Sequence, residues 1–154
     1  MDGDCLVCRE LGGDVAVPGG FLWEEEDAAG YHTPPVDETG NPRPYLGHLL
    51  VVTRRHVASL GELTPEEAAA VGRGVALLAR GLMDGAGAVW VYSAVVGTRT
   101  PHFHQHLLPR YSDTPDEVPW HAVDEWEGAR RGGAEEIAAV AERIRASSVP
   151  TPGS

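Results

Sequence analysis

Three of the chain's seven histidines, His102, His104 and His106, occupy alternate positions in the segment Thr100-Pro-His-Phe-His-Gln-His-Leu-Leu-Pro-Arg110. In extended backbone, side chains two and four residues apart point to the same side. Three imidazoles would then line one surface, with Phe103, Gln105 and Leu107 on the other. Packing gains nothing from buried imidazoles that Val or Leu would not supply better. Two chemistries use such an array. Imidazole is a good zinc ligand, and a neutral imidazole oriented by a neighbour can attack phosphorus and form a covalent intermediate. Stacked rings on one strand suit a tetrahedral ion poorly, so catalysis is favoured for at least part of the array. The two cysteines, Cys5 and Cys8, form a C-x-x-C. Such a pair can hold a metal, stay reduced or form a redox disulfide.

A chain of 154 residues suits one compact domain, here 1–146 with a mobile Ser/Pro/Gly-rich tail over 147–154. Its formal net charge of −11 is opposite in sign to that of a general nucleic-acid binder. An anionic ligand must therefore be captured by a local cluster of cations and backbone amides. Two cysteines are few for a secreted disulfide scaffold, and no leader with a basic start and apolar middle precedes them. No apolar run has the length to cross a bilayer. The expectation is a cytoplasmic protein with no nucleic-acid or membrane partner.

The elements that must position these groups are legible as patterns. Val15 to Trp23 alternates loosely and reads as one or two strands broken at Pro18-Gly19-Gly20. Residues 24–45 are polar and turn-rich and read as a long surface loop. Leu49 to Thr53 is a continuous apolar, β-branched run, as in a buried strand. Thr64-Pro65-Glu66-Glu67 is a capping box with proline at the first helical position, and Val71, Val75, Leu78 and Leu82 continue it as an apolar stripe ending near Gly85. Val89 to Val96 is a strand, Gly97 to Pro101 a tight turn, and Ala134 to Ala146 a second helix. Strands joined by short turns and interrupted by helices predict an α+β fold rather than a parallel α/β sheet.

The motif from His102 to Leu108 resembles the His-φ-His-φ-His-φ-φ signature of the histidine triad (HIT) superfamily, with Gln105 polar where an apolar residue is usual. Gly47 to His56 is similar to that family's strand ending in a basic residue and a histidine, and Leu108 to Tyr111 to its post-triad segment. The resemblance covers roughly Cys5 to Tyr111. It implies an antiparallel sheet of about five strands with one long and one or two shorter helices, and a homodimer in which paired strands join two sheets. It also implies a hydrolase or nucleotidyl transferase acting on nucleoside phosphates, phosphoramidates or dinucleoside polyphosphates. In that reading His104 is the nucleophile and His106 steadies the phosphate, helped by backbone amides of the Gly97–Thr100 turn. The family's extra donor position falls at Thr98, with Arg99 beside it. Members beginning with C-x-x-C resemble zinc proteins, which implies a structural zinc on Cys5, Cys8, His56 and His102. The position where many members carry a ribose-binding aspartate is Gly40 here. The alternatives are a HIT-type enzyme for an unusual phosphorylated metabolite, or a non-catalytic nucleotide-binding protein.

Other residues have structural and functional readings side by side. His48 can approach the substrate or cap its loop. His32 and His121 read as solvated loop residues, and Arg110 as an exposed ion-pairing residue or a stabiliser of the strand end. Trp120 and Trp126 pack on the core or cover the active site from the C-terminal side. Arg130-Arg131-Gly132-Gly133 reads as a solvated turn that could bind an anion at a helix start.

Overall fold

The computed structural model describes residues 3–35 and 43–148. Gly40 and the tail beyond Ser148 lie outside the described residues. The elements in chain order are α1 (Leu6–Leu11), β1 (Trp23–Glu24), β2 (Ala28–His32), β3 (Leu49–Thr53), α2 (Pro65–Asp84), β4 (Trp90–Ala94), β5 (His104–Arg110) and α3 (Ala134–Ser148). The five strands form one antiparallel sheet in the order β1-β2-β3-β5-β4. The α+β expectation holds, with one long helix and two shorter ones.

All five residues of β2 and all five of β3 are buried, because both faces of the sheet's centre are covered. On one face Leu49, Val51, Phe103 and Leu107 join Leu78 and Leu82 of α2 and Ile144 of α3. On the other, Ala29, Tyr31, Leu50 and Val52 meet Cys5, Val7 and Cys8 of the N-terminal arm. Two-sided burial is why Leu49 to Thr53 reads as a continuous apolar run instead of an alternation.

Two expectations are corrected. Residues 24–45 do not form one loop: Glu24 of β1 and all of β2 fall within them. Of the strands expected over Val15 to Trp23, only the Trp23–Glu24 pairing exists. The sequence Ala-Ala-Gly-Tyr-His of β2 has small residues at three of five positions, so it carries no hydrophobic alternation. Its strand state comes from pairing Ala28 to His32 against Thr53 to Leu49.

At the start of α2 the local chemistry is as the sequence dictates. The Thr64 hydroxyl accepts the Glu67 N–H at 3.1 Å, and the Glu67 carboxylate accepts the Thr64 N–H at 2.9 Å. The same carboxylate takes a two-pronged contact from Arg55, at 2.7 and 2.8 Å, which holds its pKa below the usual carboxylate range. Thr64→Ala is therefore expected to cost about 1 kcal/mol of unfolding free energy, read from urea denaturation.

Candidate active site and metal centre

β5 begins at His104, with His102 just before it, and all three imidazoles lie on the α1 side of the sheet while Phe103 fills the opposite core. His104 and His106 pair with Val52 and Leu50 of β3 and lie on the α1 side of the sheet. His102 precedes the strand, is fully buried, and turns its ring to the cysteines. Phe103 and Leu107 fill the opposite core as expected, and Gln105 donates to the Ser93 hydroxyl at 2.9 Å.

The structure brings Cys5, Cys8, His56 and His102 together, with one ligand atom from each lying within 4.8 Å of the others. His102 Nδ1 is 3.5 Å from both sulfurs, and His56 Nδ1 is 3.3 Å from Cys8 Sγ. Tetrahedral zinc with its usual bond lengths separates a sulfur and a nitrogen ligand by about 3.5 Å, so the cluster has the dimensions of such a site. His102 Nε2 donates to the Thr53 carbonyl at 2.6 Å, which leaves the Nδ1 lone pair for the cluster. The two cysteines form no disulfide. Burial raises the Cys5 thiol, so a thiolate there needs a cation beside it.

On the neighbouring surface lies a cavity of about 450 Å³. Its wall includes His104 and His106, the turn Gly97 to Thr100, and His48. Gly97 has a φ of +67°, a left-handed conformation that glycine adopts without steric cost and that shapes the turn here. Thr98 and Arg99 are exposed on that turn and both line the cavity.

His104 Nδ1 donates to the His102 carbonyl at 2.7 Å. With that proton fixed, the lone pair is at Nε2. The metal-type cluster and the candidate nucleophile are thus linked through one residue: His102 gives its ring to the cysteines and its carbonyl to His104.

His48 Nε2 lies 2.9 Å from His106 Nδ1, which makes it a partner of the triad rather than a loop cap alone. Its place is set by Gly47, whose φ of +94° only glycine adopts freely and whose missing side chain leaves room for the Tyr111 hydroxyl. Burial, with the charge of nearby imidazoles, keeps His48 well below the ordinary histidine range. Burial first, then His104, lowers His106 to about 4. Both rings are neutral at physiological pH.

His32 is corrected from a solvated loop residue to a fully buried one in β2. Its Nδ1 donates to the Thr33 carbonyl at 2.8 Å, and its Nε2 accepts the Gly47 N–H at 2.9 Å. No local pattern marks it, because the burial comes from strand pairing. His32 thus fixes the turn that presents His48.

Burial holds His32 at about 4, below its ordinary 6.5. A histidine with a depressed folded pKa takes up its proton first in the unfolded chain. Its stabilising effect is present above pH 6.5 and is lost as the pH falls toward 4. For His32 the loss is on the order of 3 kcal/mol. Urea unfolding at pH 7.5 and pH 4 is expected to show it, with a smaller pH dependence in His32→Gln.

The remaining residues have structural roles for the most part. Arg110 donates to the Val118 and Pro115 carbonyls at 2.9 and 2.6 Å, which ties down the strand end, the second of its two readings. The Arg130 guanidinium lies 4.1 Å from the Tyr111 ring centroid and pairs with Asp113 at 3.0 Å. Arg131 donates to the Asp124 carbonyl, and both residues reach the cavity wall. Trp120 packs near Tyr92 with ring centroids 6.1 Å apart, and His121 is exposed. The cavity wall also includes Glu10 and Thr33, which no motif marks. The one signal for Glu10 is that it lies two residues beyond Cys8 on the same short helix.

Residues 41–113 match the family model of the HIT domain. An uncharacterized HIT-like protein of Methanocaldococcus jannaschii is 28% identical over 123 residues, covering 77% of this chain and 88% of the relative. A Zn-bound histidine triad family protein from Mycobacterium smegmatis has the same fold, with a TM-score of 0.68 at 22% identity over 93% of this chain and 94% of its own. A hypothetical histidine triad nucleotide-binding protein from Sulfolobus tokodaii gives a TM-score of 0.70, again at 22% identity, over 93% and 91%. Over residues 41–113 the chain thus matches the HIT domain, and its fold is the one these solved histidine triad structures share.

Proposed function

We propose that the protein is a hydrolase or nucleotidyl transferase for nucleoside phosphates, phosphoramidates or dinucleoside polyphosphates, with His104 as nucleophile. The observation that carries this reading is the His104 imidazole on the cavity wall, its Nδ1 proton held by the His102 carbonyl so that Nε2 has the lone pair. Nε2 attacks phosphorus, and the bond to the leaving group breaks with its electron pair going to that group, which takes a proton from solvent. Water then attacks the phosphorus and loses a proton to solvent, and the P–N electron pair returns to Nε2. An alcohol or phosphate in place of water makes the reaction a transfer.

Such displacement needs positioning and donors aimed at the equatorial oxygens more than strong acids. A His48 Nε2–H donating to His106 Nδ1 leaves the His106 Nε2–H for the phosphate. Thr98, Arg99 and the amides of their turn add further donors. Arg99 supplies positive charge in a chain whose net charge is −11.

Cys5, Cys8, His56 and His102 would hold a structural zinc ion. The donor set, the sulfur–nitrogen spacing and the His102–Thr53 bond support this assignment. The ion would supply charge neutralisation for two buried thiolates and a tether for α1. The proposed cellular setting is the cytoplasm. Among the described residues no helix is long and apolar enough to cross a membrane.

A homodimer belongs to the same reading. β4 is an edge strand of the sheet, and Trp90, at 61% exposed, presents an apolar surface beside it.

The test is to mix the protein with an adenosine phosphoramidate or a diadenosine polyphosphate, quench in base, and measure intact mass. An added nucleotidyl group mapping to His104 is expected. Absence of both adduct and turnover across this panel would remove the nucleotide-hydrolase reading.

A further inference from the structure

The run Arg130-Arg131-Gly132-Gly133 has no part in the chemistry at His104, yet Arg131 reaches the same cavity. Residues 130–132 lie against 44–46 as an extra strip of pairing. The Arg130 carbonyl accepts the Leu46 N–H at 2.8 Å, and the Pro44 carbonyl accepts the Gly132 N–H at 3.2 Å. Arg131 and Tyr45 form an antiparallel bridge between them. Gly132 permits this close approach, since a Cβ there would lie 2.5 Å from that of Glu136 and 2.9 Å from Leu46 Cδ2. The Arg131 backbone is thus fixed, and its half-buried side chain donates to the Asp124 carbonyl.

Strand register sets its place along the cavity. The turn that carries Arg99 leads into the His104 end of β5, whereas Tyr45 donates its hydroxyl to the Pro109 carbonyl near the other end of that strand. Arg99 and Arg131 therefore stand at opposite ends of one cavity, with His104 and His106 between them. Among the described residues neither arginine belongs to an ion pair, although the chain has 23 acidic side chains to 12 basic ones.

One bond to a carbonyl uses one of the five guanidinium donors and leaves the Arg131 charge without a carboxylate pair. Arg43 adds a second cation nearby, donating to the Arg131 carbonyl at 3.3 Å. Asp124 also lines the cavity, but burial raises its carboxyl above the ordinary range, so it holds negative charge less readily than usual. A guanidinium fixed in this way suits a two-pronged bond to a carboxylate or a phosphate.

We propose that Arg131 makes the end of the cavity beyond His106 a second oxyanion subsite. It takes a carboxylate or phosphate group that the substrate carries apart from the phosphoryl group at His104 and His106. The proposal rests on the reading of this cavity as a phosphate site, and adds that the substrate has two separated anionic groups. Arg131 lies beyond residues 41–113, so this selectivity comes from the segment that follows the HIT-domain match.

The experiment follows binding in NMR titrations of three kinds of probe. Butylphosphonate and adenosine monophosphate each have one anionic head. Phosphonocarboxylates and bisphosphonates have two, joined by spacers of about two to six methylenes to span the distance between subsites. The proteins are wild type, Arg131→Gln, Arg131→Lys and Asp124→Asn. Wild type is expected to bind the best two-headed probe about fivefold or more tighter than butylphosphonate. The larger gain, with carboxylate or with phosphonate, identifies the second group. The gain should fall to about one in Arg131→Gln and be partly kept in Arg131→Lys, which retains the charge without the fork. In Asp124→Asn it should grow about twofold, because an opposing carboxylate is removed. Binding of the single-headed probes should change by about twofold at most in every variant.

Two-headed probes that bind no tighter than butylphosphonate at any spacer overturn the subsite and leave the phosphate reading standing. Equal losses for all probes in Arg131→Gln make the residue structural or a general source of charge, and overturn it as well. A smaller gain in Asp124→Asn does the same, since the wall then reads a cation. If no probe binds, the phosphate reading falls and the subsite with it.

Discussion

Replacing His104 with alanine is expected to slow turnover of an adenosine phosphoramidate by roughly a thousandfold or more, with substrate affinity little changed. The covalent route depends on the Nε2 lone pair, and the substitution removes it. His106→Ala should cost less, about a hundredfold, because it deletes one donor to the phosphate oxygens and leaves the nucleophile in place. The two variants should also differ in intermediate: the nucleotidyl adduct disappears in His104→Ala and persists, formed more slowly, in His106→Ala. Stopped-flow and intact-mass measurements on the same samples separate these cases. Turnover by His104→Ala within a few-fold of wild type would refute the assignment of the nucleophile.

The second large effect is on stability. Metal analysis of purified protein is expected to find about one zinc per chain, and Cys8→Ser or prolonged chelation should lower stability by about 4 kcal/mol or more. For a chain of this length that corresponds to a fall in melting temperature of about 10 °C. The cause is local. Without the ion, Cys5 and Cys8 hold their thiols buried against two imidazoles, and α1 loses its tether to the sheet. Chelation should also slow the chemical step, since the His102 carbonyl that orients His104 belongs to a residue of the cluster. Well under one zinc per chain, together with an unchanged melting temperature in Cys8→Ser, would dispose of the metal assignment.

These two effects draw on different levels of information. The triad, the C-x-x-C and the capping box at Thr64 are contiguous patterns, and each was legible because its chemistry is fixed by spacing along the chain. The long helix follows from its own cap and apolar stripe, and β3 from an unbroken apolar run. β2 was not legible. Ala28, Ala29 and Gly30 have no preference that would mark a strand, and their conformation is imposed by pairing with β3. The burial of His32 is hidden for the same reason, since a polar residue in a polar neighbourhood gives no sign that strand pairing will bury it.

The sequence by itself determined which residues could do chemistry: two thiols one helical turn apart, and alternating imidazoles with Thr98 and Arg99 just upstream. Tertiary structure decided how they are divided. All three imidazoles lie on one side of the sheet, where the cysteines brought by α1 pack against His102 while His104 and His106 face the cavity. It also brought His48 to His106, and Glu10 and Thr33 to one wall. The physical reason is that side-chain alternation is a property of one strand. Burial, a shared proton and a cavity wall are properties of contacts between segments far apart in sequence, and only packing brings those segments together.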